Sequence, residues 1–282
     1  MPFAVIAWPA AGRVVVVGGS EVSRRITRLV WDMRRDGPYR APRGSELAAL
    51  DALADAVARG DHAAATEAGA PLGLAATREG DRLLLLSGNG DERAWLAIVL
   101  RAVPRAVVEV PHPNADLATE LVGLALAERR PDVLYLQAGA HRIAGAPPEA
   151  RDRVDCPADV SSRDDAPFSR VADVLVRRGL PQIQLHGFAD RDGVDVVLSP
   201  GAAPEGALLT AVRERLADAG ERVGEGDDER WSDLLGRRNV QGRAAARAGT
   251  AFVHLELSRS LRRDADRRDA VAAALDKALD AT

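Results

Sequence analysis

Ala106-Val-Val-Glu-Val-Pro-His-Pro-Asn-Ala-Asp-Leu-Ala-Thr-Glu120 is the stretch whose reading decides the fold. Residues 106–110 form a short, nearly continuous apolar run, the pattern of a strand buried on both faces. Pro111 ends it, because proline has no N–H to give to a ladder. The chain then delivers His112 onto a turn, and a helix is expected to begin near Asn114 or Asp116 and to run to about residue 129. Asp116 and Glu120 are four residues apart and would share one face of that helix. An imidazole at the end of a buried strand, with two carboxylates one helical turn apart just beyond it, is the geometry of an α/β metal or acid–base site.

The same texture continues toward the C-terminus. Strands over 132–137, 182–185, 194–198 and 250–257 alternate with helices over about 166–179, 205–219 and 264–280. This alternation predicts an α/β fold with a mostly parallel sheet sandwiched by helices. Upstream, residues 1–103 are expected to form an α+β extension or cap. It would contain a strand at Val14–Val17 closed by Gly18-Gly19, and a helix from Glu21 to about Arg35 with Ile26, Leu29, Val30 and Met33 on one face. A helix capped by Ser45, a short helix begun by Asp61 with His62 at the surface, a hairpin over 72–76 and 83–86, and a strand over 95–100 would follow. Residues 104–282 are then the α/β region expected to carry the chemistry.

In such sheets ligands bind beyond the carboxyl ends of the strands, and the polar residues of interest fall there. His186 ends the strand that starts at Gln182, and Gly187 after it would let the backbone approach a ligand. His141 and Arg142 follow the strand that ends near Gln137, and Arg142 could clamp a substrate carboxylate. In Phe252-Val-His-Leu-Glu-Leu257 the alternate positions 252, 254 and 256 share one strand face. A carboxylate there, Glu256, is costly unless paired or working, and burial would raise its pKa as a general base requires. His254 on the same face could support it. The Asp, Ser and Arg of Asp159-Val-Ser-Ser-Arg163, before the helix led by Pro167, could bind substrate or support the ligands, although Asp164 or Asp165 could simply cap that helix, and Arg238-Asn-Val-Gln-Gly-Arg243 precedes the Glu256 strand. Arg163, Asn239, Arg243 and His141 are candidate substrate-binding residues.

Several classes are excluded by composition. A single cysteine, Cys156, rules out an internal disulfide and a cysteine-based zinc cage. A net charge of −4 with interleaved acids and bases leaves no nucleic-acid footprint. No apolar run reaches the roughly 20 residues needed to span a bilayer, and no basic segment leads the N-terminus, so a cytoplasmic protein is expected. Gly18-Gly19-Ser20 matches neither phosphate-binding spacing, and Ser199 lacks a nucleophile elbow.

The order of parts (strand to His plus acid, an Arg-bearing loop, a strand ending His-Gly, a late strand with Glu) resembles a divergent member of the zinc carboxypeptidase-like and N-formylglutamate amidohydrolase-like superfamily. The resemblance spans about residues 106–262. It implies one zinc per chain, held by His112, by Asp116 or Glu120, and by His186. It implies Glu256 as the base, and Arg142, Arg163 or Arg243 as partner of a substrate carboxylate. The tight His-x-x-Glu of carboxypeptidases is absent, since position 115 is Ala115. The expected function is a zinc-dependent hydrolase of an amide or peptide bond in a small or peptide substrate bearing a carboxylate. A metal-free binder of small carboxylates with the same fold, and a structural or interaction protein, are the alternatives.

Overall fold

Four parallel strands form the centre of the sheet, in the order β5 (Val133–Ala138), β4 (Ala106–Val110), β6 (Gln182–Phe188) and β9 (Phe252–Ser258). The computed structural model describes residues 20–147, 156–224, 226 and 228–280, so the strand expected at Val14–Val17 lies outside the described residues. Beside β5, β3 (Leu96–Leu100), β2 (Arg82–Ser87) and β1 (Leu74–Glu79) continue the sheet antiparallel. Beyond β9, β7 (Val196–Ser199) runs antiparallel to it and pairs in parallel with β8 (Val223–Gly224). The sheet is therefore mixed, where a mostly parallel one was expected. Strands β1 and β2 are joined by the two residues Gly80 and Asp81, a connection too short for anything but an antiparallel hairpin. Through β3, the strands predicted for an N-terminal extension are hydrogen-bonded into the same sheet as the later βα units.

Helices cover both faces. On one side α4 (Thr119–Arg129), α6 (Ala207–Asp218) and α9 (Ala265–Leu279) pack together, with α1 (Glu21–Asp32) against α4. On the other lie α2 (Ser45–Ala58), α3 (His62–Gly69), α5 (Pro167–Arg177) and α7 (Val240–Ala248). Strand alternation sends Val108, Val110, Ile183, Leu185, Val253 and Leu255 into the first core, each contributing roughly 1.5–3 kcal/mol by burial. The opposite face of the same three strands is polar. Glu109, Gln184, His186, His254 and Glu256 occupy the alternate positions, and all but Glu256, which is half-buried, are fully buried. Strand register brings Glu109 beside Gln184, Gln184 beside His254, and His186 beside Glu256. A buried polar strip thus runs across the sheet toward the carboxyl ends of its central strands.

Local signals succeed where a side chain can reach a terminus. Asp61 accepts the N–H groups of Ala63 and Ala64 and starts α3 as expected. Gly44, rather than Ser45, holds the cap position of α2, and Glu46 accepts the Arg43 N–H instead. Ala166 begins α5 without a side-chain cap, because Asp165 is paired with Arg163. Helix α4 starts at Thr119, not near Asn114 or Asp116. Asn114 and Ala118 both adopt left-handed backbone conformations, φ 65° and 71°, which break any continuous helix there. Among the described residues no helix is long and apolar enough to cross a membrane.

Candidate metal centre

His112, Asp116 and His186 come together where β4 and β6 end, with one potential ligand atom from each within 4.8 Å of the others. Asp116 sits in the turn after His112, its N–H donating to the His112 carbonyl, so the irregular chain of 111–118 aims it back at the sheet. Its Oδ2 lies 3.4 Å from His112 Nδ1 and 3.3 Å from His186 Nδ1. The far nitrogens are anchored. His112 Nε2 is 2.8 Å from Asp159 Oδ1, and His186 Nε2 is 2.8 Å from Gln184 Oε1.

These anchors assign the ring protons. Asp159 accepts only, so the His112 hydrogen belongs on Nε2. For His186 the assignment begins at a helix cap. Asn239 caps α7, and its Oδ1 accepts the Gln241 N–H at 3.0 Å, which leaves its Nδ2 to donate to Gln184 Oε1 at 2.5 Å. Gln184 Nε2 in turn donates to Glu109 Oε2 at 2.6 Å. Gln184 therefore presents an acceptor to His186, whose hydrogen also sits on Nε2. Both rings turn Nδ1 toward the same carboxylate oxygen. His112 Nδ1 is buried and has no hydrogen-bond partner. Two imidazole nitrogens with anchored backs and one carboxylate are the donor set of a three-ligand divalent-metal site with an open position. The residues fit the ion that the resemblance implies.

Charge within the cluster follows from burial and proximity. Burial opposes ionisation of Asp116, yet contact with His112 and His186 holds it well below the carboxylate range. Burial also disfavours a charged His112, but the Asp116 and Asp159 carboxylates outweigh it and raise the pKa. Asp159 is brought down to about 2 against burial by His112 and by Arg142, whose Nη2 donates to Asp159 Oδ2 at 2.6 Å. His186 is lowered to about 3 by burial and by neighbouring His254, so it is neutral and able to ligate at pH 7. The His186 and His254 rings lie 4.5 Å apart, tilted by 37°.

Glu256 stands beside this group. Its Oε1 is 3.5 Å from His254 Nε2 and its Oε2 is buried with no partner. Burial raises its pKa against the opposing pull of His254. His141 is buried, held well below its usual value, at about 4, by burial and by Arg35 and Arg142.

The remaining candidates are placed elsewhere or already engaged. Glu120 lies in the first turn of α4 and outside the His112–Asp116–His186 group. Arg142 is bound to Asp159 but its side chain is 35% exposed. Arg163 pairs with Asp165, Arg243 is exposed on α7, and the amide of Asn239 is taken up by Gln184 and the helix cap. Gly187 does not serve a ligand, because a Cβ there would overlap the guanidinium of Arg262. Sequence reasoning missed Arg262. Nearly fully buried, it donates to the carbonyls of Leu117, Phe188 and Leu257, tying the 111–118 turn to the ends of β6 and β9. Sequence reasoning also gave no role to Glu109 and Gln184, whose signal was the polar alternation Gln-Ile-Gln-Leu-His along β6.

The fold and site define an α/β protein with a His-Asp-His cluster at the carboxyl ends of its central strands. No family model matches the chain, and no curated protein matches it significantly. Solved structures similar to it include a bacteriophage poly-γ-glutamate hydrolase at 18% identity, covering 66% of this chain and 88% of that one, with a TM-score of 0.46. The N-formylglutamate amidohydrolase of Ralstonia eutropha JMP134 is 16% identical over 67% of this chain and 98% of its own, with a TM-score of 0.44. A metallo-carboxypeptidase from Burkholderia cenocepacia is 15% identical over 78% of this chain and 67% of its own, with a TM-score of 0.41. The last two carry the names of the groups that the sequence resembles. At these scores the likeness carries no argument about activity.

Proposed function

We propose that the chain is a zinc-dependent hydrolase that cleaves an amide or peptide bond in a substrate bearing a carboxylate. One observation carries this reading: two histidines anchored through Nε2 turn their Nδ1 atoms toward one Asp116 oxygen, with the half-buried Glu256, whose Oε2 is buried and unpartnered, alongside. His112, Asp116 and His186 would hold the ion. When bound, it supplies Lewis-acid polarisation of a carbonyl and eases deprotonation of water. Glu256 Oε2, its pKa raised by burial, takes the proton from the attacking water and passes it to the leaving nitrogen as the C–N bond breaks. His254 Nε2 lies 3.5 Å from the other Glu256 oxygen. The exposed part of Arg142, steadied by Asp159, pairs with the substrate carboxylate.

The test is metal content of the purified protein beside a His112→Ala/His186→Ala variant, by elemental analysis after zinc loading and removal of excess. The expected result is about one zinc per chain, as a three-ligand site implies, lost in the variant. Absence of metal from the wild-type protein would overturn the proposal.

A further inference from the structure

The hydrogen on His186 follows the amide of Gln184, so whatever orients that amide also decides which ring nitrogen can ligate. The Gln184 side chain is buried among His186, Glu109, Asn239 and Gln241. Two of these neighbours are indifferent to its direction. A neutral imidazole can accept through Nε2 as readily as donate. Burial lifts Glu109 to about 8, so at pH 7 it is a carboxyl group that can also do either. The other two neighbours are not indifferent. Asn239 Oδ1 accepts the N–H groups of Gln241, at 3.0 Å, and Gly242, at 3.4 Å. Turning that amide over would set its NH2 against two main-chain donors, so Nδ2 is fixed as the group that donates to Gln184 Oε1, at 2.5 Å. Gln241 Nε2 donates to the Val160 carbonyl, which can only accept, at 2.9 Å, and to Ser169 Oγ at 2.8 Å. Its Oε1 is left to accept from Gln184 Nε2, at a longer 3.4 Å. Both fixed groups are buried and favour the same direction of the Gln184 amide, and Asn239 makes the shorter contact.

We infer that Asn239 is a positioning residue for the metal centre: by donating to Gln184 it keeps the His186 hydrogen on Nε2 and leaves Nδ1 as the ligating atom. The main-chain N–H groups at the start of α7 are the reference from which this order is passed on, first to Asn239, then to Gln184, then to the ring. The main chain that carries the ring is held separately. Arg262, on the short α8 (Arg259–Arg263), grips the end of β6 through the Phe188 carbonyl, so a change at Asn239 alters the proton on His186 and not the path of its strand. The inference concerns the imidazole of the metal-free protein, and only its consequence for metal affinity rests on the zinc reading.

The experiment is nitrogen NMR at pH 7 of the metal-free, full-length protein with isotope-labelled histidine rings, in wild type, Asn239→Asp and Asn239→Ser. Aspartate and serine cap a helix about as well as asparagine does. Aspartate sets an acceptor against Gln184 Oε1, whereas serine only withdraws the donor. The wild type is expected to carry the His186 hydrogen on Nε2. In Asn239→Asp the Gln184 amide turns over, Glu109 donates to its Oε1, and the His186 hydrogen moves to Nδ1. In Asn239→Ser the ring signals move part of the way. His112, anchored by Asp159, is expected to keep its hydrogen on Nε2 in all of them and so reports an intact site. Zinc affinity of Asn239→Asp, read by chelator competition, is expected to fall by roughly 10–100-fold, the scale for partners behind a ligand. A wild-type hydrogen on Nδ1, or a His186 hydrogen unmoved in whichever variant folds, would overturn the inference. A wild type that binds no zinc would overturn the zinc reading alone, and the NMR series would still decide this one.

Discussion

Removing the Asp159 carboxylate tests the logic of the metal centre more sharply than removing a ligand would. In Asp159→Ala the buried Nε2–H of His112 loses its acceptor at 2.8 Å, and Arg142 loses its partner at 2.6 Å. Arg142 is partly exposed and turns to water, but His112 Nε2 cannot, because the imidazole is only 4% exposed. Losing such an anchor costs roughly 10–100-fold in metal affinity, or about 1.4–2.8 kcal/mol. Two terms make up the loss: the ring is free to rotate its lone pair off the common point, and its basicity falls. Asp159→Asn should fall between, since its carbonyl can still accept from His112 while its amide faces Arg142 without attraction. The assay is competition for zinc against a chelator of known affinity at pH 7. Asp165→Ala, which breaks only the exposed pair with Arg163, serves as the control and should leave affinity unchanged. Zinc affinity of Asp159→Ala within about twofold of wild type would refute the claim that the carboxylate sets the ligand, given the size expected for such partners.

Other consequences are as direct. Glu256→Gln should retain zinc and lower turnover by roughly 10²–10⁴-fold once a substrate is in hand, and full activity would remove Glu256 from the role of base. Burial raises Glu109 to about 8, opposed by its bond to Gln184. A folded pKa above the unfolded one means that this group's stability contribution is complete below about 4.5 and fades as pH rises through about 8. Glu109→Gln should flatten that fall, which thermal unfolding at pH 5, 7 and 9 would reveal; parallel curves for the two proteins would contradict it. Gly187→Ala forces a methyl group into the Arg262 guanidinium and should destabilise by about 1–3 kcal/mol, measured by chemical denaturation. An unchanged midpoint would show that Arg262 can move aside.

Much of the fold was legible in the sequence because its signals are local. The apolar runs at 106–110 and 133–138 and the alternation in 252–257 are intrinsic to their own residues, and so is a histidine placed where such a run ends. What stayed hidden depends on partners far along the chain. Asp159 stood out as a candidate support, but nothing local says that it reaches His112 across 47 positions. That Asp116 rather than Glu120 faces the histidines turns on a left-handed Ala118, a conformation that alanine does not advertise and that only the surrounding structure imposes. With the helix starting there, Asp116 is released to face the histidines, and Glu120 is held in the first turn of α4, outside their group. The mixed sheet was missed for a related reason: strand direction depends on which neighbour is met, and β3 pairs with β5, more than thirty residues further along the chain.

Arg262 has a consequence for how the molecule opens. The carbonyls of Leu117, Phe188 and Leu257 all accept from this one side chain, and these residues flank Asp116, His186 and Glu256 in sequence. A fluctuation that frees any one segment releases the guanidinium from the other two and leaves a buried charge unsolvated, so partial release is the least favourable state. The turn and the two strand ends should therefore behave as one cooperative unit. In native-state hydrogen exchange, the backbone amides around residues 117, 188 and 257 are expected to share a single opening free energy, although they lie more than a hundred residues apart at the extremes.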